Sequence, residues 1–168
     1  YNNEIPKCAP SFCTTCCPGN CLDGEWNSAW YIFTVQEGGL LRFTIQPDVT
    51  SDDYDWAVYN LTDKRCEDIY SNISSMQKSC NAAGITNTTG MNSNNGGTAH
   101  CNVCGTAGTN KWNADLMVLA GQTYVLYVSN WGSGAQGGFT LDFSASTAVI
   151  YDDVPPALAS IDADQVTG

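Results

Sequence analysis

Basic residues are scarce in this chain. Six Lys plus Arg face 17 Asp plus Glu over 168 residues, a formal net charge of −11. A field of that sign repels phosphate backbones, so nucleic-acid binding is not expected, and it favours divalent cations. Histidine is nearly missing: His100 is the only residue that a Ser-His-Asp or Cys-His arrangement could use. It has no nucleophile elbow beside it. Carboxylates are present, but nothing in the sequence sets the separation across a cleft that a glycosidase needs. These gaps predict a protein that is not an enzyme. No stretch approaches the ~20 apolar residues that cross a bilayer, so membrane insertion is not expected. No apolar spacing follows a helical period.

What the chain does have is alternation. Leu41-Arg42-Phe43-Thr44-Ile45-Gln46 and Phe139-Thr140-Leu141-Asp142-Phe143-Ser144 are apolar on one side and polar on the other. A period of two marks a half-buried antiparallel strand. Trp30 to Val35 reads as a strand with Tyr31, Phe33 and Val35 on one face. Glu37-Gly38-Gly39 then reads as a hairpin turn, and Leu40 to Gln46 as the returning strand, ended by Pro47. Tyr54 to Asn60, Asp115 to Leu119, Thr123 to Ser129 and Phe139 to Ala145 follow, with Ala120-Gly121-Gln122 as a turn and Ala148 to Tyr151 as a short addition. Thr123 to Ser129 is apolar on both faces and should sit centrally. The fold class predicted is all-β: a two-sheet antiparallel β-sandwich, jelly-roll-like, with disulfide-stapled loops.

Three regions follow. Residues 1–28 are expected to form a Cys-rich N-terminal segment, 29–151 the β-sandwich, and 152–168 a linker to a following domain, with Pro155-Pro156 near its start. The chain opens on Tyr1 and carries no signal-peptide pattern, which predicts a processed end or a piece of a longer polypeptide. Within the sandwich, 81–111 is a long insertion. Asn, Gly and Thr supply 19 of the 30 positions from 81 to 110. Such a stretch buries little apolar surface against its ordering entropy, so it should be disordered or tied down. Cys80, Cys101 and Cys104 are the evident ties.

Nine cysteines are present, an odd number. With so many Asn, Thr, Ser and Gly, an oxidising, extracellular location is expected. One thiol is then free, intermolecular or paired outside the chain. Cys8, Cys13, Cys16, Cys17 and Cys21 crowd the N-terminus, and Cys66 with Cys80 is the expected local pair. Closing a loop of that size is worth ~3 kcal/mol in the chain-entropy model. Cys13-Thr14-Thr15-Cys16 and Cys101-Asn102-Val103-Cys104 have the C-x-x-C spacing of zinc ligands, with His100 adjacent, but about 80 residues separate them. Disulfides suit the composition better.

Acidic residues offer a calcium site. Asp53 and Asp55 are two apart on a strand and share a face, and Asp52 lies in the loop before them. Hard cations take several carboxylate and carbonyl oxygens, and Asp48, Glu25 or Asp23 could add to the set. Asp152 and Asp153 form a second, weaker candidate. The plain alternative is a solvated edge whose charge opposes strand-to-strand aggregation. Among the aromatics, Trp30 and Trp56 sit in strands and read as core. Trp112 and Trp131 lie in polar or Gly-rich surroundings and are the candidates for stacking on a sugar ring. Asn60, Asn72 and Asn87 open N-glycosylation sequons, which matter only in a source that uses them.

Five segments carry a family resemblance: Trp30-Tyr31-Ile32-Phe33-Thr34-Val35, Gly38-Gly39-Leu40-Leu41, Asp53-Tyr54-Asp55-Trp56-Ala57-Val58-Tyr59, Leu119-Ala120-Gly121-Gln122-Thr123-Tyr124 and Gly138-Phe139-Thr140-Leu141. In that order, over roughly 29–145, they resemble the bacterial pre-peptidase C-terminal domain pattern. The block from Asp52 to Leu61 and the ending from Leu141 to Asp152 are also similar to modules of large secreted surface proteins in gliding, type IX-secreting Bacteroidota. The resemblance implies a calcium-associated, non-catalytic sandwich in a multidomain adhesin or filament protein at the cell surface. Its partners would be surface glycans or neighbouring copies and domains of a filament. A carbohydrate-binding module appended to a secreted hydrolase is the alternative.

Overall fold

Alternating apolar residues become strands whose apolar faces form two buried clusters. The computed structural model describes residues 22, 27–102, 110–131 and 137–152. The elements within them are β1 (Ala29–Glu37), β2 (Gly39–Leu41), β3 (Phe43–Pro47), β4 (Tyr54–Asn60), α1 (Asp68–Met76), β5 (Gln77–Asn81), β6 (Thr89–Met91), β7 (Cys101–Asn102), β8 (Trp112–Asn113), β9 (Leu116–Val118), β10 (Thr123–Asn130), β11 (Phe139–Asp142) and β12 (Val149–Asp152). They form a six-stranded sheet ordered β12-β1-β10-β4-β5-β7, a four-stranded sheet β11-β3-β6-β8, and the pair β2-β9. The fold is thus all-β apart from one helix.

Period-two alternation sets which residues meet. Phe33, Val35, Tyr54, Trp56, Val58, Tyr124, Leu126 and Val128 of the six-stranded sheet join Phe43, Ile45 and Met91 of the four-stranded sheet in one buried cluster. Leu141 and Phe143 pack against it from the side. Phe43 meets Trp56 edge-on at 4.8 Å between ring centroids. Strand β10 lies between β1 and β4 and is buried from Tyr124 onward, as its two apolar faces require. Its other face, Val125 and Tyr127, packs with Ala57, Tyr59, Ile69, Met76 and Leu22 in a second cluster.

Three expectations need correction, and a fourth is narrowed. First, α1 covers that second face, though no helix was expected. Ile69, Ile73 and Met76 recur at helical spacing, and all three contribute to the cluster. Asn72 departs from helical dihedrals and kinks it. Second, Gly38-Gly39 is not a hairpin turn: β1 pairs with β10 and β12, while β2 pairs with β9. The chain passes from one sheet to another there. Glycine is needed for close approach, because a Cβ on Gly39 would lie 2.8 Å from the backbone of Thr147 and Ala148. Third, the ladder is not wholly antiparallel, since β5–β7 and β6–β8 run parallel.

The fourth concerns the insertion. Of the two outcomes expected, disordered or tied down, its described part is tied, and one tie is the neighbouring Asn113. Asn113 is fully buried. Its Nδ2 donates to Ser79 Oγ at 2.9 Å and to the Cys80 carbonyl at 2.8 Å. Its Oδ1 accepts from Asn81 Nδ2 at 2.8 Å and from Asn102 Nδ2 at 2.6 Å. Two donors and two lone pairs are the whole capacity of a primary amide. Asn81, Asn102 and Asn113 thus pair with one another across β5, β7 and β8, while Asn87, Asn94 and Asn95 stay exposed.

Candidate functional site

The starting end of β4 and the finishing end of β10 lie side by side, because Tyr54 pairs with Asn130. The acidic loop 48–53 and Trp131 are thereby brought together. Asp48 N–H donates to the Gly138 carbonyl at 2.9 Å, and Tyr54 hydroxyl donates to the Gly137 carbonyl at 2.6 Å. These bonds draw the 137–138 backbone over the loop. Glycine lets both carboxylates approach this backbone, and a larger residue would make them shift. A Cβ on Gly137 would collide with Asp52 Oδ2, and one on Gly138 would lie 2.6 Å from Asp48 Oδ2.

Each acidic residue has its own setting. Asp52 is buried, and its Oδ2 accepts from Asn130 Nδ2 at 2.9 Å. Burial raises the Tyr54 hydroxyl above its ordinary range; a hydrogen bond with Asn130 opposes this, and the negative charges of Asp52 and Asp48 add to it. The phenol thus reports two carboxylates close by. Asp53 is the residue whose partners fall short. Burial pushes its carboxyl up, and the Ile85 N–H opposes that only in part. Its Oδ1 is buried with no hydrogen-bond partner. Asp55 is buried on β4.

Asp48 and Asp52 are therefore gathered at the 137–138 backbone. Among the described residues, no three His, Cys, Asp or Glu side chains converge as a metal-holding group. The Asp52-Asp53-Asp55 set does not close on one point. The Asp152 backbone pairs with Phe33 in β12. Asp23, Glu25 and Asp153 lie outside the described residues.

The tryptophans divide differently from expectation. Trp56 is core, but Trp30 is 37% exposed on the outer face, edge-on to Tyr127 at 4.8 Å. Its position at even spacing from Ile32 turns it away from Phe33 and Val35. Trp112 is half-buried on β8, with its ring 3.0 Å from where a Gly90 Cβ would be. Trp131 is 45% exposed, and its N–H donates to the Asp53 carbonyl at 2.8 Å. An exposed indole on an anchored backbone, following Asn130 and next to Asp52, combines a stacking face with hydrogen-bonding groups.

No protein-family model, curated protein or solved structure matches this chain. The reading of the site therefore rests on its geometry.

The cysteines overturn one expected pair. Cys66 is a free, exposed thiol ahead of α1, while Cys80 is fully buried on β5. Nine residues of helix intervene. Cys80 Sγ instead lies 3.7 Å from Cys101 Sγ, on the neighbouring strand β7. Cys66 lines a depression of about 350 Å³ on the outer face with Trp30, Ile32, Glu67, Tyr70 and Val125. His100 is exposed, and its carbonyl accepts the Cys80 N–H at 2.9 Å. Cys8, Cys13, Cys16, Cys17, Cys21 and Cys104 lie outside the described residues.

Of the sequons, Asn72 and Asn87 are exposed, whereas Asn60 is half-buried with Oδ1 accepting from Thr62 N–H at 2.8 Å. Sequence reading also missed Asp115. It pairs with Arg42 at 2.8 Å and accepts from Ser93 N–H at 2.7 Å, so it joins three segments. Burial raises its carboxyl, but the Arg42 and Ser93 bonds outweigh this and hold it below the usual carboxylate range.

Proposed function

We propose that this chain is a non-catalytic extracellular module of a multidomain cell-surface protein, serving adhesion or filament architecture. It would be a jelly-roll-like sandwich of the pre-peptidase C-terminal type, as in surface proteins of gliding Bacteroidota. The observation that carries the binding role is Trp131: an exposed indole on a backbone bonded to the Asp53 carbonyl, at the end where Asp48, Asp52 and Asn130 gather. Aromatic faces stack on the apolar faces of pyranose rings, while carboxylates and amides take the hydroxyls. Surface glycans are the partner class this favours.

Calcium would serve as a stabiliser. Asp48 and Asp52 with the 137–138 backbone would hold it, and neutralising their charge is the chemistry it would supply. Two carboxylates fall short of the six to eight oxygens that Ca²⁺ takes, so water would complete the shell. Disulfides would staple the loops in an oxidising location.

Glycan-array binding tests the reading. Binding that disappears in Trp131→Ala, with the fold intact, supports it. Absence of glycan binding together with absence of self-association reduces the module to a spacer. The same Trp131 geometry favours a second reading, a carbohydrate-binding module of a secreted hydrolase. Soluble plant or storage polysaccharides as the sole ligands would select it.

A further inference from the structure

We propose that the depression on the outer face of the six-stranded sheet binds a small organic cation bearing a methylated ammonium group. Its volume is about 350 Å³. Small-molecule sites span roughly 300–1,000 Å³, so one compact ligand fits. The floor is apolar, with Val125 buried and Ile32 half-buried. Two aromatic rings line it, Trp30 from β1 and Tyr70 from α1. Among the described residues that line it, Glu67 alone is charged.

The fold brings these groups together. Trp30 and Ile32 are two apart on β1 and lie opposite Tyr127 and Val125 of β10. Ile69 and Met76 press α1 onto that same pair, Val125 and Tyr127, which sets the start of the helix beside β1. Trp30 is held edge-on to Tyr127 and still leaves 37% of its surface open.

The chemistry selects the ligand. The faces of indole and phenol rings carry negative charge and attract cations. A fully methylated ammonium has no N–H to satisfy, so an apolar floor costs it no hydrogen bond, whereas a sugar would lose several. Glu67 and the net charge of −11 favour a positive ligand and repel an anion. Glu67 now meets Arg65 at 3.4 Å, with the two side chains 70% and 82% exposed. Such a surface pair is weak and gives way readily. The depression shares no residue with the Trp131 end and does not depend on the glycan reading.

Cys66, a free and exposed thiol on its lining, supplies the probe. The full chain is treated, at fixed ionic strength, with methanethiosulfonates carrying either a trimethylammonium or a hydroxyl on the same ethyl arm. The thiolate attacks the sulfenyl sulfur, forms a mixed disulfide and releases methanesulfinate. Mass spectrometry follows the adduct on peptide 66–78, which cleavage after Lys and Arg releases with Cys66 as its only cysteine. The trimethylammonium reagent should react roughly tenfold faster. Free choline should slow it to a saturable limit, and phosphatidylcholine vesicles should not. Trp30→Leu and Tyr70→Leu keep the charge but remove a ring, so each should cancel both the preference and the protection. Equal rates for the two reagents in the parent would overturn the proposal, as would absence of choline protection there; neither needs a variant to fold. A preference that survives both substitutions would also overturn it, because the net charge alone would then be its cause. Protection by vesicles but not by free choline would overturn the assignment to a small free cation.

Discussion

The Asn102 side-chain amide donates to the fully buried Asn113 Oδ1 at 2.6 Å, joining β7 to β8. These two residues belong to the most polar part of the chain. They show that the Asn-rich stretch is held by a saturated amide as well as by the buried Ala82 and Met91. Asn113→Ala should therefore leave the Asn81 and Asn102 amides with only the Asn110 and Trp112 carbonyls, and take a donor from Ser79 Oγ and the Cys80 carbonyl. Unsatisfied buried groups cost about 1–3 kcal/mol each, offset in part by relaxation, so a loss of roughly 3 kcal/mol is expected. Urea denaturation with an unchanged slope would check it.

Asp53 should make the fold less stable as pH rises. Its folded carboxyl lies above the ordinary value because burial penalises the charge. The stability linked to it is present in full below the unfolded pKa and is lost as pH rises through the folded one. Asp53→Asn keeps an acceptor for Ile85 and removes the charge. Its melting temperature should exceed that of the parent at pH 7, and the gain should vanish in acid. If added calcium removes the difference at pH 7, the ion neutralises this end.

Asp115 has the opposite sign. Its carboxyl is held low by Arg42 and Ser93 against the pull of burial. Its contribution is present above the unfolded pKa and is lost as pH falls through the folded one. In Arg42→Gln, acid unfolding followed by tryptophan fluorescence should begin at a higher pH than in the parent.

Trp131→Ala and Trp112→Ala should separate binding from stability. The first removes an exposed ring and should change stability by no more than about 0.5 kcal/mol while glycan binding is lost. The second removes a half-buried ring from Gly90 and should cost on the order of 2 kcal/mol, below the ~3–5 of a fully buried one. Thermal melts beside array binding give both readouts.

Chelation offers a separate check. If Asp48 and Asp52 hold calcium, a chelator should lower the melting temperature, and Asp52→Asn should erase that response. A melting temperature indifferent to chelator removes the metal from the account.

Strands were legible where burial is one-sided or complete. Phe43 and Ile45 alternate with polar neighbours, and Val125 and Tyr127 add a second apolar face to β10; each pattern has a single structural solution. The helix was hidden because Ile69, Ile73 and Met76 are sparse among Ser and Asn. Its order comes from the sheet face it covers, a tertiary contact that no local window contains. The Leu40 to Gln46 run breaks at Arg42 because that residue turns to Asp115, which is 73 positions away. The same limit hid the Asn113 network. At the candidate site, the acidic residues were visible but their grouping was not. Asp48 joins Asp52 only because Gly137 and Gly138 cross the loop, and Trp131 gains its neighbours from pairing between β10 and β4.

Strands β1 and β12 are antiparallel neighbours, with Phe33 opposite Asp152 and Glu37 opposite Val149. Ala29 and Asp152 consequently point out of the same end of the sheet. Tension that drew those two points apart would peel β12 away one hydrogen bond at a time instead of shearing the ladder at once. Under mechanical load this edge is a zipper, and it would be the first part of the molecule to yield.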